Sequence, residues 1–322
     1  MAQISLSYIL LTYNQQRTVR AAVCSALVQD VPDLEIVITD DHSSDGTFEE
    51  IQAAVAGYDG PHRIIVNRNP ENLGLVGNLA MAHQLSSGNV LIGAAGDDLS
   101  YPQRSRQILE AFSSGDPLLV CSYATVIGPE GEPVPGDFRT ALFYRGWNLA
   151  KAARSRSLYI GATGAWHRNL YERYGPIDPA AYEDLVLGFR AALENRVVVL
   201  EEELIQYRLG TGLTSSDPYH TDIAAFEEWR RKGFAVRQGV MRQRIKDAGH
   251  FGVSGRSPIM RILRREQLKA ALGLAYYEDR SGAFCHLALA HPLLGLAAWR
   301  SERRCRNKMQ SRLQERAAHG HG

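Results

Sequence analysis

The sequence predicts an α/β protein, with a mostly parallel sheet that has helices on both faces and a C-terminal extension made of helices. Short apolar runs alternate with segments of helical spacing through the first half of the 322-residue chain, and this alternation is typical of parallel sheets with crossover helices. From about Ser216 onward the strand patterns stop and arginine-rich helical patterns follow. We therefore expect an α/β domain over residues 1–215 and a helical extension over 216–322.

The elements of the first half follow in a regular order. Short apolar runs ended by turn residues indicate buried strands, and apolar residues three and four apart indicate helices. Strands are predicted at Ile4–Leu11, Leu34–Thr39, His62–Val66 and Asn89–Ala94. Helices are predicted at Arg17–Leu27, Phe48–Val55 (capped by Thr47), Gly77–Leu85 and Pro102–Phe112. The less regular middle contains a strand at Leu118–Ile127, a Pro/Gly-rich loop, a helix at Tyr182–Leu193 and a strand at Val197–Leu200.

The bulk composition excludes several classes of protein. A formal net charge of +1 argues against a nucleic-acid partner. Four widely separated cysteines without a CxxC pair argue against a zinc site and a disulfide framework, and fit a reducing cytoplasm. No basic segment precedes the first apolar run, which we interpret as a strand and not a signal peptide. No uninterrupted apolar run is long enough to predict a transmembrane helix.

Polar clusters follow four of the predicted strands. Thr12-Tyr13-Asn14 follows the first, Asp40-Asp41 the second, Asn72-Leu73-Gly74 the third and Gly96-Asp97-Asp98 the fourth. Because ligands of open α/β sheets bind outside the carboxyl ends of the strands, these clusters predict one shared site.

The adjacent acids Asp97 and Asp98 have two interpretations. They are either a turn that caps the helix after Pro102, or ligands of Mg²⁺ or Mn²⁺, which one or two carboxylates can hold together with substrate phosphates. A viral RNA polymerase, which shares the Gly-Asp-Asp sequence, would need a longer chain and a basic channel. A dinucleotide-binding loop would need glycines where the sequence has TYNQQ.

Taken together and in order, these clusters resemble those of the family 2 glycosyltransferases, which have the Rossmann-like GT-A fold. The matching segments, within residues 4–215, are ILLTYN at 9–14, DDHSSDGT at 40–47, Asn72-Leu73-Gly74 through Asn78, Gly96-Asp97-Asp98, Gly175-Pro176-Ile177-Asp178 and Glu183-Asp184. The resemblance implies nucleotide-sugar binding by about 1–100 and an acceptor side over about 101–215.

The resemblance also implies roles for single residues. The nucleotide is bound by Thr12, Tyr13, Asn14, Asp41, Asn72, Asn78 and Asp97, with Asp41 accepting from uracil and Asp97 near the ribose. Asp98 holds Mn²⁺ or Mg²⁺ beside the diphosphate. Asp184 is the general base, with Glu183 as the fallback; the competing interpretation of this pair is stabilisation of a helix dipole. Gly210 stands where the family often has a histidine, and Arg208 either contacts the diphosphate or pairs with an acid.

The C-terminal extension is basic. Between Arg300 and Arg316 there are seven Lys/Arg and two Glu, and the more apolar segment Leu287–Trp299 precedes them. Such helices either dock on an anionic membrane surface or pack on the α/β domain or a second copy of the chain.

The sequence thus predicts a metal-dependent inverting glycosyltransferase that moves a sugar, most readily from a UDP-sugar, to a glycan or lipid-linked acceptor in polysaccharide synthesis. We expect it in the cytoplasm, with peripheral binding to the inner membrane as an option. A sugar nucleotidyltransferase would need a Gly-rich, Arg/Lys-bearing first loop, and a non-catalytic glycan-binding or scaffold domain predicts loss of acids that are all present.

Overall fold

A computed structural model describes residues 4–135, 139–210, 222–278 and 282–319. Its centre is an eight-stranded sheet with the order β3-β2-β1-β4-β7-β6-β8-β5. The strands are β1 (Leu6–Thr12), β2 (Glu35–Asp40), β3 (Arg63–Arg68), β4 (Val90–Ala95), β5 (Leu99–Ser100), β6 (Leu119–Ile127), β7 (Gly164–His167) and β8 (Val197–Arg208). The predicted α/β class with a mostly parallel sheet is confirmed.

The first four strands run parallel, and their register brings the polar clusters together. Thr12 at the end of β1 lies beside Asp40 at the end of β2, and Leu11 lies beside Ala95 at the end of β4. The backbone N–H of Asp41 donates to the carbonyl of Thr12 at 2.9 Å. The loops that follow β1, β2 and β4 therefore open at one edge of the sheet, as predicted.

Helices cover both faces of this sheet, and the last helices pack on one another in the C-terminal extension. The helices in chain order are α1 (Val19–Leu27), α2 (Thr47–Val55), α3 (Gly74–Leu85), α4 (Arg104–Ser114), α5 (Leu149–Arg154), α6 (Asn169–Glu172), α7 (Glu183–Leu193), α8 (Ile223–His250), α9 (Pro258–Glu278), α10 (Ala283–Ala290) and α11 (Pro292–His319). Apolar residues of α1, α2 and α4 form the core on one face. The core on the other face includes α3, α5 and α7. Burial of these apolar faces is the main stabilising contribution to the layered fold.

Several local expectations need correction. Thr47 is not the cap of α2; Gly46 occupies that position, and Thr47 accepts a hydrogen bond from the Gln15 backbone N–H at 2.7 Å. Asp97 and Asp98 do not cap α4 either, because its N-cap residue is Gln103 and β5 lies between. The strand predicted at Val197–Leu200 continues to Arg208, and the sequence did not predict β5, β7 or α5.

The helical C-terminal extension is confirmed, and its first two helices share the core of the α/β domain. Val240, Met241 and Leu263 are buried in one cluster with residues of β6 and α7. The expected boundary at 215–216 lies outside the described residues. Within the described residues, none of the helices has the length and apolar character needed to cross a bilayer. All four cysteines are free thiols.

Candidate active site

A cavity of about 400 Å³ lies at the carboxyl ends of β1, β2 and β4, which is a typical volume for a small-ligand site. Ten of the eleven residues predicted for the site line it: Thr12, Tyr13, Asp41, Asn72, Asn78, Asp97, Asp98, Glu183, Asp184 and Arg208. The eleventh, Asn14, points away, and its Oδ1 accepts from the Ser44 backbone N–H at 2.9 Å. The structure thus brings together residues that are up to 196 positions apart.

The loop after β1 forms one wall of the cavity. Thr12 is buried, and its Oγ1 donates to Asp40 at 3.2 Å, so this threonine also ties the ends of β1 and β2 together. Tyr13 is partly exposed. Gln15, which the sequence did not single out, lines the cavity and donates from Nε2 to Asp97 Oδ1 at 2.9 Å.

Asp41 directly follows β2, and Asn78 on α3 is bonded to the end of the same strand. Asp41 Oδ1 accepts from Asn69 Nδ2 at 2.9 Å and from the Leu73 backbone N–H at 2.8 Å, so its orientation is fixed. Asn78 uses Nδ2 to bind the carbonyl of Thr39 at 3.1 Å, and its Oδ1 accepts from Asn69 at 3.0 Å. Asn78 therefore holds the wall in place, whereas Asn72 is exposed and turns its Oδ1 toward the Gly74 N–H.

The adjacent acids Asp97 and Asp98 are both buried in the cavity wall. Asp98 Oδ1 accepts from the Arg208 backbone N–H at 2.8 Å, and among the described residues its second oxygen has no hydrogen-bond donor. Burial, and then the neighbouring charge of Asp97, raises the pKa of Asp98 well above its usual range. The two carboxylates thus form a site in which a cation is electrostatically favourable.

These residues fit a divalent metal ion. Burial of two adjacent carboxylates leaves negative charge that a cation would neutralise, and carboxylate oxygens are the ligands that Mg²⁺ and Mn²⁺ prefer. The described part of the chain has no cluster of three or more His, Cys, Asp or Glu in metal-binding geometry. A metal at Asp98 would therefore take further ligands from substrate and water, as Mg²⁺ commonly does.

Arg208 lies at the end of β8 and is held by backbone carbonyls. Its Nε donates to the carbonyl of Asp97 at 2.9 Å, and Nη1 donates to those of Gly128 and Pro129 at 3.1 and 2.9 Å. In the described residues its guanidinium binds backbone carbonyls and not a carboxylate, while its charge lowers the pKa of Asp98 against the larger effects of burial and Asp97. Its positive charge lies at the cavity wall beside the two acids.

Glu183 and Asp184 also line the cavity, from the first turn of α7. Burial, and then the charge of Glu183, raises the pKa of Asp184, because the charged form is poorly solvated there. Among the described residues, one oxygen of Glu183 has no hydrogen-bond partner. A Cβ at Gly161 would lie 2.6 Å from the other oxygen, so any larger residue there would force the Glu183 side chain to shift.

Two further residues of the cavity wall have a buried polar group for which the described part of the chain provides no hydrogen-bond partner. The groups are the hydroxyl of Tyr159 and the Nε1–H of Trp166. Trp166 is buried and lies in the cavity wall. An unpaired buried polar group costs about 1–3 kcal/mol, so these groups are suited to bind hydroxyls of a ligand. Tyr159 was missed because its role depends on packing that has no sequence signature.

The sequence of this chain matches a known protein family. The family model described as glycosyl transferase family 2 matches residues 7–174, just over half of the chain. The chain belongs to glycosyltransferase family 2. The matched range includes the β1, β2 and β4 loops, whereas Glu183, Asp184 and the whole C-terminal extension lie beyond it.

Two curated relatives are glycosyltransferases by name. The putative glycosyltransferase EpsE of Bacillus subtilis is 31% identical over 99 residues, which is 31% of this chain and 35% of that protein. An uncharacterized glycosyltransferase of Nostoc is 26% identical over 217 residues, 64% of this chain and 65% of that protein. The chain thus spans less than two thirds of either relative.

Solved structures of glycosyltransferases share the GT-A fold of this chain. S. aureus TarS 1–349 in complex with UDP-GlcNAc aligns with a TM-score of 0.53 at 17% identity, covering 85% of this chain and 81% of that one. The mannosyltransferase PcManGT of Pyrobaculum calidifontis, in complex with GDP-Man and Mn²⁺, aligns with a TM-score of 0.54 at 18% identity, covering 98% and 85%. The predicted GT-A fold is therefore confirmed.

Proposed function

We propose that this family 2 protein transfers a sugar from a nucleotide-diphosphate donor, most readily a UDP-sugar, to a hydroxyl of a glycan or lipid-linked acceptor, with inversion at the anomeric carbon. The observation that carries this proposal is the composition of the cavity wall. Asp41, Asp97 and Asp98 from the strand ends and Glu183 and Asp184 from α7 line one cavity. A donor and an acceptor can therefore meet inside it.

On the donor side, Asp41 is positioned as an acceptor for the nucleotide base, with Thr12 and Tyr13 beside it. Asp98 would hold a divalent metal, with Asp97 next to it toward the ribose. The metal supplies charge that stabilises a leaving diphosphate. Arg208 adds a fixed positive charge to the same wall. The nucleotide-sugar complexes of TarS and PcManGT support a donor of this class.

On the acceptor side, Asp184 acts as general base. The acceptor oxygen forms a bond to the anomeric carbon, and the bond from that carbon to the diphosphate breaks with its electron pair. The proton of the acceptor hydroxyl passes to the Asp184 carboxylate. A raised pKa makes Asp184 a stronger base than an exposed aspartate, and positioned bases contribute about 10²–10⁴-fold. Glu183 is the fallback for this role.

We also propose that the protein binds anionic membrane surfaces from the cytoplasmic side. Exposed apolar side chains lie on α10 and at the start of α11, on either side of the turn between these helices: Leu289 (80% exposed), Leu293 (85%), Leu296 (45%) and Trp299 (38%). Arg300, Arg303 and Arg304 follow on α11 and are also exposed. Apolar residues next to basic ones match a bilayer surface with anionic headgroups, where lipid-linked acceptors would be at hand.

The proposed activity is tested by incubating the protein with UDP-, GDP- and dTDP-sugars in the presence of Mn²⁺ and measuring nucleoside diphosphate release. We expect release from one nucleotide class, and binding of the same nucleotide without turnover in Asp184→Asn, because the amide cannot accept the proton. A rate loss of about 10²-fold or more is expected. Normal turnover in this variant removes Asp184 as the base. Formation of nucleotide-sugar from sugar phosphate and nucleoside triphosphate would instead identify a nucleotidyltransferase.

A further inference from the structure

Helix α8 of the C-terminal extension binds the first turn of α7, which lines the cavity, through one arginine. Arg244 is fully buried, and its guanidinium bonds to two other segments. Nε and Nη2 donate to the carbonyl of Leu185 at 3.2 and 3.0 Å, and Nη1 donates to the carbonyls of Ala152 and Ser155 at 3.0 Å each. Arg244 thus links the first turn of α7 to the end of α5.

Leu185 directly follows the proposed base. The backbone N–H of Leu185 donates to Asp184 Oδ1 at 2.7 Å, while its carbonyl accepts from Arg244. The same residue therefore touches the carboxylate on one side and the buried guanidinium on the other. A shift of Leu185 would move the carboxylate with it, and a displacement of about 1 Å at a reacting group can cost about 10²-fold in rate.

Two further contacts attach α8 to the α7 segment. Gln243 Oε1 accepts from the Asp178 backbone N–H at 3.0 Å, ahead of α7. Asp247 forms a fully buried ion pair with Arg190, later in α7, at 2.8 Å. Helix α8 therefore contacts the α7 segment before, within and after the turn that carries Asp184.

We propose that Arg244 is a positioning residue for the Asp184 carboxylate, so that α8 forms part of the catalytic unit. The inference rests on the proposed role of Asp184 as general base. A buried guanidinium with several fixed donors is suited to this task, because its planar fork binds more than one carbonyl in a single orientation. Lysine carries the same charge but cannot reproduce the fork.

The charge of Arg244 contributes as well. It lowers the pKa of Asp184 against the opposite effects of burial and Glu183. Burial and the charge of Arg237 lower the pKa of Arg244 itself to about 9, so it is charged at neutral pH. The other titratable groups that face Asp184 are the hydroxyls of Tyr144, Tyr159, Tyr182 and Tyr207, which are uncharged at neutral pH.

Arg237, also on α8, provides a matched control. It is buried and donates to the carbonyls of Ser155 and Arg154 at 2.6 Å, with an ion pair to Glu266 at 3.4 Å. It therefore binds the end of α5 as Arg244 does, but its hydrogen bonds do not include the α7 carbonyl of Leu185.

The test compares Arg244→Met, Arg244→Lys and Arg237→Met in the full chain by pH–rate profile and by hydrogen exchange of the α7 first turn. A base must be deprotonated, so the rate falls as the pH drops through its pKa. Loss of the Arg244 charge raises that pKa, so we expect this fall in rate, the acid limb of the profile, to lie about 0.5 pH unit higher in Arg244→Met. We also expect kcat of this variant to be lower by about 10-fold or more. In Arg244→Lys the acid limb keeps its wild-type pH while kcat falls. Arg237→Met has the acid limb and the kcat of the wild type.

Equal kcat and acid limbs in Arg244→Met and Arg237→Met overturn the proposal. If Arg244→Met does not fold, Arg244→Lys against Arg237→Lys decides, and equal kcat values overturn it. If the wild type shows no transfer, the proposed function fails, and hydrogen exchange alone decides the positioning role. Faster exchange of the α7 first turn in Arg244→Lys than in Arg237→Lys then supports it, and equal exchange overturns it.

Discussion

Asp97 and Asp98 are neighbours in sequence with different surroundings. The side-chain amide of Gln15 binds Asp97, whereas the backbone N–H of Arg208 binds Asp98. The backbone N–H binds one oxygen of Asp98, and the second oxygen stays available for a ligand. Burial and the charge of Asp97 are the main effects that disfavour the ionised form of Asp98. This difference supports assigning the metal to Asp98.

Replacing Asp98 with alanine should abolish the metal dependence of nucleotide binding. We expect calorimetry with UDP and Mn²⁺ to give an affinity lower by about 10-fold or more in Asp98→Ala, because a metal ligand is lost. Asp30→Ala is the control, since Asp30 is exposed and its ion pair with Arg106 lies at the surface. If Asp98→Ala keeps both the wild-type affinity for UDP and its dependence on Mn²⁺, this residue is not the ligand.

Single residues were predictable where a polar group follows a strand end. The loops after β1, β2 and β4 have that signature, and Asp41, Asp97 and Asp98 all line the cavity. Gln15 and Tyr159 carry no such signature, because their contribution depends on where a side chain reaches after folding. Asn14 has the signature but bonds to Ser44 instead, since its left-handed backbone (φ of 51°) turns it away.

At the scale of elements, the long regular strands and helices were predictable and the short ones were not. Apolar periodicity identified β1 to β4 and α7 because each pattern extends over six residues or more. β5 has two residues and β7 has four, and they form by antiparallel pairing with β8 and β4. Such pairing depends on distant partners, which local patterns do not encode.

The attachment of α8 to α7 should be visible in stability. Asp247→Asn leaves the guanidinium of Arg190 buried without its counter-charge, and we expect the free energy of unfolding to fall by about 3–5 kcal/mol. Arg242→Ala removes the half-exposed ion pair between α8 and Asp178 and should cost less than about 1 kcal/mol. Urea unfolding measures both, and equal small losses would contradict a structural role for the buried pair.

At the scale of the whole molecule, the exposed apolar side chains around the turn between α10 and α11 predict membrane binding. We expect the protein to sediment with vesicles that contain phosphatidylglycerol and less with phosphatidylcholine alone, with weaker binding at higher salt. The double variant Leu289→Asp/Leu293→Asp should lose this binding. Val28→Asp is the control, because Val28 is an exposed apolar residue on another face.

The competing outcome is self-association. If the wild type is a dimer by light scattering, the double variant is a monomer, and neither binds vesicles, the apolar side chains around the turn between α10 and α11 form an interface between copies of the chain. The sequence predicted both alternatives from the same residues, because an apolar stripe followed by arginines fits either a bilayer or a partner helix.

The shared core also has a consequence for the order in which the chain acquires function during synthesis. The core beneath α1, α2 and α4 is composed of residues up to Ala165, so it is available to fold early. The opposite core needs Val240, Met241 and Leu263, which leave the ribosome about a hundred residues later. A nascent chain should therefore form the cavity wall at the ends of β1, β2 and β4 before Asp184 is held in place.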